Sequence, residues 1–370
     1  QALRKRSPDM VLPSHGGPIN NPVEDCQKLE DSLLGIIRLG GGTRILGTDN
    51  TPYREIFPEA RYIQVSRHLL WGGPHTCSNF YVILADSGKA CFIDYGHSYA
   101  SHMGVSQERE DFDTMRFIVH HLDELRDTYG VKEIDLALIT HIHDDHTVGI
   151  PYLQRHEETS VWALDEVAKV LASPAEWAST PCTLKKPIEF ARVFRDGDCF
   201  SWEGYDFEIY HAPGQTEFHS VIGVEIDGRK IAFTGDNVFT EFAPDSTGSL
   251  SEQIYQTTVL RNSFQLWMHQ KCADVMDKVA PDLVCPGHRQ LLPWNRNMSI
   301  EYRDYINRAE ASVRRLTGEP ADHSVDVFWA RLRPYLADVA AGHNLVYTLM
   351  LRNNFDIETT YEARLLAPEG

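Results

Sequence analysis

The stretch that decides the fold and the chemistry of this chain is Thr140-His-Ile-His-Asp-Asp-His146. It directly follows a short apolar run, Ile134–Ile139, which predicts a buried strand. Because side chains alternate across a strand, His141 and His143 are expected to project in the same direction where the strand runs out. The two imidazoles would therefore face one point beyond the end of the strand.

Asp145 and His146 stand at the corner where the chain is expected to turn towards a helix beginning near Thr147. There they can face a second position beside the one that the first two imidazoles share. Three imidazoles and one carboxylate within six residues fit a solvated loop poorly. They fit a metal ion that takes nitrogen and oxygen ligands well. The sequence therefore predicts a metal centre at this strand end.

The pattern His-x-His-x-Asp-His resembles the signature of the metallo-β-lactamase superfamily, and three further segments resemble that family's other blocks in the same order. These segments are Phe92-Ile-Asp94-Tyr-Gly96, Ala232-Phe-Thr-Gly-Asp236 and Cys285-Pro-Gly-His288. The resemblance implies an α/β fold, a four-layer αββα sandwich with the metal centre at one edge. It extends over residues 60–316, and we assign residues 43–319 to this domain.

The resemblance also implies a role for each residue. The implied ligands of two zinc ions are His141, His143, Asp145, His146, Asp236 and His288. Asp236 would bridge the two ions, while Asp94 and Asp144 would support the ligands without binding metal. Asp145 would also orient the attacking hydroxide or take up its proton, which makes it the predicted catalytic residue. Iron is the alternative metal.

One segment departs from the family pattern. Where the family has Pro-Gly-His-Thr, with the His as a ligand of the first metal, this chain has Pro213-Gly-Gln-Thr216. A neutral amide oxygen is a poorer partner for zinc than imidazole. We expect His219 to replace the missing ligand; the alternatives are weak ligation through Gln215, or a first site with two His and water. His211 is interpreted as structural.

The predicted reaction is hydrolysis by a metal-activated hydroxide of an ester, lactone, lactam, thioester or related small substrate. His75, His97 and Tyr99 flank early blocks of the resemblance and are predicted to line the substrate pocket. Two other functions stay open. One is a non-catalytic scaffold or binding protein with a degenerate metal site, and the other is an iron-dependent redox relative. Metal content and metal identity would distinguish the three.

The first residues of the chain resemble a later segment. Ser7–Gly16 matches Ala280–Arg289 in the order of its apolar residues, Asp, Pro and His. Residues 1–42 are therefore interpreted as a helical remnant of an upstream copy of the domain, in a possible tandem duplication, and His15 as a residue without its partner ligands. The start at Gln1 favours a piece of a longer polypeptide.

Residues 320–370 have a different texture and predict a β-rich tail. The predicted strands are Asp326–Leu332, Asn344–Leu351 and Thr359–Leu366. They suit either the start of an immunoglobulin-like domain or edge strands packed on the hydrolase, because three strands are too few for a complete sandwich.

Composition limits the partners. With 35 Lys and Arg against 53 Asp and Glu, the formal charge is −18, which disfavours binding to a phosphate backbone. No apolar run is long enough to span a membrane. Seven dispersed cysteines without a CxxC pair favour free thiols and a cytoplasmic location. The expected partner is therefore a small-molecule substrate.

Overall fold

The structure is a computed structural model that describes residues 8–11, 18–25, 27, 62–72, 78–96, 112–178, 180, 182–240, 254–255, 266–288, 290–317, 330–353, 357–364 and 366. The chain divides into two compact units, Gln1–Arg61 and Tyr62–Gly370. In the described part of the first unit, Val11 and Ile19 form an antiparallel bridge and residues 22–25 are helical. His15 lies outside the described residues. The domain boundaries proposed from the sequence stay predictions.

The second unit begins with a seven-stranded sheet whose strands follow one another in chain order. Its strands are β1 (Ile63–Ser66), β2 (Leu69–Trp71), β3 (Tyr81–Leu84), β4 (Lys89–Ile93), β5 (Glu133–Ile139), β6 (Ser160–Leu164) and β7 (Arg192–Phe194). Strands β1 to β4 pair antiparallel, and β4 to β7 pair parallel. The apolar run predicted as a buried strand is β5, in the middle of the parallel part, where both faces of a strand are covered.

A second sheet has six strands in the order β15-β14-β11-β10-β9-β8. Its strands are β8 (Asp198–Trp202), β9 (Tyr205–His211), β10 (Ser220–Ile226), β11 (Arg229–Gly235), β14 (Leu283–Pro286) and β15 (Leu292–Pro293). A separate pair is formed by β12 (Phe239–Thr240) and β13 (Ile254–Tyr255). The sequence Asp227-Gly228 predicts a turn, and it joins β10 to β11. Asp227 and Gly228 both have positive φ, 51° and 74°, as a tight type I′ hairpin requires.

Six helices with defined bounds accompany the sheets. They are α1 (Phe112–Tyr129), α2 (Asp144–Thr147), α3 (Ile150–His156), α4 (Asp165–Leu171), α5 (Leu266–Val279) and α6 (Arg296–Thr317). The helix expected to begin near Thr147 corresponds to α3, which begins at Ile150 just after the short helix α2. The sequence also predicts helices over Thr114–Tyr129, Ser263–Lys278 and Ser299–Leu316, and these correspond to α1, α5 and α6.

Alternating residues of β10 show how the layers are stacked. Ile222 and Val224 belong to a large core that also contains side chains of the first sheet. Val221, on the opposite face of the strand, belongs to a smaller core. That smaller core also contains Met276 of α5 and Tyr302 of α6. The second sheet is therefore covered by the first sheet on one face and by helices on the other, as expected for an αββα sandwich.

The tail forms one hairpin, β16 (Ala330–Arg333) with β17 (Thr348–Leu351). It lies in the same compact unit as the sandwich. The third predicted strand is wrong for the positions that are described, because residues 357–364 and 366 form neither strand nor helix. Among the described residues, every helix is too short or too polar to cross a membrane.

Candidate metal centre

The predicted ligands follow the carboxyl ends of parallel strands. The segment beginning at His141 follows β5, Asp236 follows β11, and His288 follows β14. Because β11 and β14 pair parallel, their carboxyl ends emerge at the same edge of the second sheet. An isolated antiparallel bridge between His141 and His219 joins the end of β5 to the second sheet. The stretches distant in sequence therefore meet at one edge of the sandwich, where ligands bind in open α/β sheets.

One part of the site, called here the second half, consists of Asp145, His146 and His288. Oδ2 of Asp145 lies 3.5 Å from Nε2 of His146 and 3.3 Å from Nε2 of His288. One ligand atom from each of the three residues falls within 4.8 Å of the others. Asp236 faces the same point, because its Oδ1 lies 3.2 Å from Nε2 of His146 and 3.4 Å from Nε2 of His288.

The neighbouring part, called here the first half, consists of His141 and His143. With Asp236 they form a second group whose ligand atoms lie within 4.8 Å of one another. The imidazole centroids are 4.8 Å apart, and Nε2 of His141 lies 3.7 Å from Oδ2 of Asp236. Asp236 therefore presents one oxygen to each half, as a bridging carboxylate must.

Gln215 occupies the remaining position of the first half. Its Nε2 donates a hydrogen bond of 2.7 Å to Oδ2 of Asp236, and its backbone N–H donates one of 3.0 Å to Oδ1 of Asn237. The side chain is buried, yet its Oε1 has no hydrogen-bond partner among the described residues. The amide that stands in place of the family's imidazole thus contacts the shared carboxylate through its nitrogen, and its oxygen accepts no hydrogen bond from the described residues.

His219 lies beside the first half with both ring nitrogens engaged elsewhere. Nε2 accepts a hydrogen bond of 3.2 Å from the backbone N–H of Asp236, and Nδ1 lies 3.3 Å from Nδ2 of Asn237. Its ring stacks on His141 at a centroid distance of 4.7 Å. It belongs to none of the groups whose ligand atoms converge within 4.8 Å in the described residues. This geometry does not match the expectation that His219 replaces the missing ligand, because its nitrogens face protein donors.

Asp94 contacts the segment of the predicted ligands from behind, through Thr140 and His146. Its carboxylate accepts hydrogen bonds from the backbone N–H (2.8 Å) and the hydroxyl (2.7 Å) of Thr140, and it lies 3.5 Å from Nδ1 of His146. The Thr140 hydroxyl in turn lies 3.0 Å from Nδ1 of His141. Asp94 adopts φ +57°, a strained value for a residue with a side chain. Such strain persists where the surroundings fix a functional side chain.

Other residues at the site were not singled out from the sequence. Thr140 and Gly287 each stand next to a predicted ligand in the sequence. A Cβ on Gly287 would lie 2.4 Å from Oδ1 of Asp236 and 2.7 Å from Cε1 of His146, so only glycine fits there. Asn237 holds the Gln215 segment through its Oδ1 and through Nδ2, which donates to the carbonyl of Ala212 at 2.6 Å. Their adjacency to ligands was the available signal.

The predicted supporting and pocket residues have different outcomes. Asp144 is buried at the start of α2, where its backbone N–H donates a hydrogen bond to the carbonyl of Cys182. His75, His97 and Tyr99 lie outside the described residues. His211 is held by its Nε2, 2.8 Å from the carbonyl of Glu217, consistent with a structural role.

A family model described as "Metallo-beta-lactamase superfamily" matches residues 113–288, the span that carries every residue of both halves. The match assigns residues 113–288 to the metallo-β-lactamase superfamily. Two relatives are hydrolases by name. Hydroxyacylglutathione hydrolase GloC of Haemophilus influenzae is 33% identical over 116 residues, covering 30% of this chain and 54% of that protein. An atrochrysone carboxyl ACP thioesterase of Cryptosporiopsis sp. is 30% identical over 138 residues, 37% of each protein.

The chain thus spans about half or less of the length of those relatives. Among solved structures, a metallo-β-lactamase from Novosphingobium pentaromativorans is similar with a TM-score of 0.50 at 15% identity, covering 70% of this chain and 92% of that one. Similarity at that level concerns the fold alone. It confirms the predicted α/β sandwich.

Electrostatics differ between the two halves. Burial lowers the pKa of His143 to about 4 and, with the neighbouring imidazole of His146, holds that of His141 well below its usual value. Burial also acts on His146 and His288, but Asp145 and Asp236 outweigh it. The pKa of His146 is well above its usual value and that of His288 rises to about 9. The second half therefore attracts cations, whereas the first half presents neutral imidazoles.

The donor set fits the divalent metal that the superfamily implies. Nε2 of His141 and Oε1 of Gln215 are buried without a hydrogen-bond partner in the described part of the chain, which is costly unless another group binds them. Imidazole nitrogens and carboxylate oxygens are the ligands that zinc prefers, and iron also accepts them. The residues present are therefore suited to hold metal ions in both halves.

Proposed function

We propose that this chain is a metal-dependent hydrolase that cleaves small acyl substrates, and that an acyl thioester is its preferred class. The observation that carries the proposal is the convergence of both halves on Asp236, whose two oxygens lie within 3.7 Å of imidazoles on either side. A shared carboxylate between two sets of imidazole, carboxylate and amide donors is suited to a pair of cations.

We propose that each half binds one of the two metal ions. The second half would bind zinc through Asp145, His146 and His288, and the first half through His141 and His143. We propose that Oε1 of Gln215, rather than His219, completes the first half, because that oxygen is buried and lacks a partner in the described structure. A bound divalent cation lowers the pKa of water to about 7 and so supplies a nucleophile at neutral pH.

The protein's own residues would then position the metal ligands and take a proton from the attacking water. Asp94 fixes Thr140 and the ring of His146, so the imidazoles keep one orientation during the reaction. Gln215 holds Oδ2 of Asp236 through its amide N–H. Asp145, at the corner after β5, would accept the proton that the attacking water releases onto its carboxylate. Preorganised groups of this kind require no rearrangement when charge develops.

Substrate class is supported by two observations. The relatives are named for hydrolysing a hydroxyacylglutathione and for a thioesterase acting on an acyl carrier protein. The formal charge of −18 disfavours a polyanionic nucleic acid. An acyl group on a thiol carrier agrees with the names of both relatives. It also agrees with the negative charge of the chain, because the reacting carbonyl of a thioester is neutral.

The test combines metal analysis with a substrate panel. We expect purified protein to bind close to two metal ions per chain and to hydrolyse an acyl thioester faster than a lactam, a phosphodiester or a sulfate ester. The variants His143→Ala and His146→Ala should lose metal and activity, whereas His156→Ala, which removes an exposed imidazole of α3, should lose neither. A chain that stays empty when offered zinc or iron, or whose hydrolysis survives both ligand variants, would overturn the proposal.

A further inference from the structure

A cavity of about 290 Å³ lies where the tail hairpin meets the sandwich. We call it the tail pocket, and its charged and aromatic lining includes Lys169, Trp177, Glu217, Arg331, Arg333 and Arg352. The arginines come from β16 and the residue after β17, while the other residues come from the sandwich. The volume is near the lower end of the range for small-molecule sites.

The lining of the tail pocket is mainly basic, although the chain as a whole is acidic. Four cationic side chains line it, against two carboxylates, Glu166 and Glu217, in a protein of formal charge −18. Glu217 is largely buried and is held by two arginines: Arg331 at 2.6 Å and Arg352 at 2.9 Å. These pairs account for docking the hairpin on the sandwich. They leave Arg333 and Lys169 to be explained.

Arg333 is held in place without a carboxylate. Its guanidinium carbon lies 4.0 Å from the ring centroid of Trp177, and its Nε contacts Sδ of Met350 at 3.1 Å. No acidic group of the described residues pairs with it within 4.0 Å. A guanidinium has five N–H donors in a fixed plane, so most of those of Arg333 remain for a ligand. Stacking on a buried ring keeps that plane oriented.

Two further cationic side chains of the same pocket, Lys169 and Arg331, lie near a pair of aromatic rings. The rings of Trp177 and Phe218 lie 5.1 Å apart at a steep angle. Nζ of Lys169 lies 5.6 Å and 5.3 Å from their centroids, and Arg331 lies 5.9 Å from Phe218. Lys169 has Glu166 as an ion-pair partner one turn earlier on α4. Like charges held this close repel one another, and an anion between them would relieve the repulsion.

We infer that the tail pocket binds a small ligand carrying a phosphate or carboxylate group, with Arg333 and Lys169 as its principal donors. Arginine matches the planar oxygens of both groups, and the apolar rims of Trp267 and Leu351 would cover a short apolar body beside the anion. This inference does not use the metal centre. Its failure would therefore leave the proposed hydrolase untouched, and the reverse also holds.

The experiment is calorimetric titration of the full chain with n-butyl phosphate and with pentanoate at low ionic strength, using n-butanol as the neutral control. We expect saturable binding of at least one anion and none of the alcohol, and binding should weaken as salt rises. If only one anion binds, its head group identifies the class of ligand.

Two arginine variants make the test specific. Arg333→Gln should weaken binding by about tenfold or more, as expected for a lost charge-assisted hydrogen bond. Arg192→Gln is the matched control, because Arg192 also lies over an aromatic ring, 4.5 Å from the centroid of Phe194, but outside the pocket. It should bind as the parent protein does.

Lys169→Gln on α4 gives the same test without altering the tail hairpin, should Arg333→Gln fail to fold. The inference is overturned if neither anion binds more strongly than butanol, or if the Arg333 and Lys169 variants both bind as tightly as Arg192→Gln. Binding that disappears only in those two variants cannot arise at the metal centre, since neither residue belongs to it.

Discussion

The two halves of the metal centre lie at the same sheet edge but are built from different donors. The second half has a carboxylate and two imidazoles whose pKa values are raised by Asp145 and Asp236. The first half has two imidazoles whose pKa values are lowered by burial, and a neutral amide. Metal affinity depends on ligand charge and type. We therefore expect the second half to bind a divalent cation more tightly, with the first half filling later.

The largest expected effect comes from removing what the halves share. Asp236→Asn keeps the shape of the side chain but removes its charge from both halves, so metal affinity should fall more than about 100-fold at each, beyond the usual effect of an outer supporting residue. Zinc content after dialysis measures it. Asp123→Asn, which removes an exposed carboxylate of α1, is the control. If one half stays fully occupied, Asp236 does not serve both.

The next largest effect is expected from Asp94, which supports both halves but to different degrees. Asp94→Asn should disturb the ring of His146, which the carboxylate approaches to 3.5 Å, more than that of His141, which it reaches only through Thr140. Metal affinity of the second half should fall about 10- to 100-fold, and that of the first half by less. Anomalous diffraction at the zinc edge gives the occupancy of each half. Equal losses would contradict this order of support.

A reciprocal exchange of donors tests the comparison directly. Gln215→His gives the first half a third imidazole, and its zinc affinity should rise about tenfold. His288→Gln gives the second half an amide, and its affinity should fall by a similar factor. The two occupancies in titrated crystals measure both changes. If Gln215→His leaves the first half unaltered, the amide oxygen does not face the cation.

The difference between the halves also marks how far the sequence could predict this site. The meeting of the candidate ligands after β5, β11 and β14 could be predicted because each follows an apolar strand, and parallel strands bring their carboxyl ends to one edge. The choice between Gln215 and His219 as the donor that completes the first half could not be predicted from the sequence. It depends on a hydrogen bond between Nε2 of His219 and the backbone N–H of Asp236, a contact across 17 residues that no local pattern encodes.

The fold shows the same limit at its end. β10 and β11 place apolar side chains in both cores, so each strand is packed on both faces. Thr359–Leu366 is also predicted as a strand, yet the described residues there have no partner strand, and Leu366 is 89% exposed. Strand formation depends on pairing with neighbours as much as on the residues themselves.

The smallest expected effect concerns the surroundings of the first half. His269 on α5 is buried behind the Gln215 segment, its Cε1 3.0 Å from where a Cβ on Gly214 would lie. Burial lowers its pKa from 6.5 to about 3. The neutral ring is thus favoured in the folded state, and its contribution to stability is complete above pH 6.5 and is lost as the pH falls towards 3.

Between pH 7 and pH 6 the unfolded chain takes up about half a proton at this imidazole, while the folded chain takes up almost none. The free energy of unfolding should therefore fall by about 0.7 kcal/mol from this residue alone. Urea unfolding of the parent protein and of His269→Gln at both pH values isolates it, because all other imidazoles are common to the two. His156→Gln, which removes an exposed imidazole of α3, is the matched control. An equal pH dependence in His269→Gln would mean that the imidazole of His269 takes up protons alike in the folded and the unfolded chain, so that burial does not keep it neutral behind the first half.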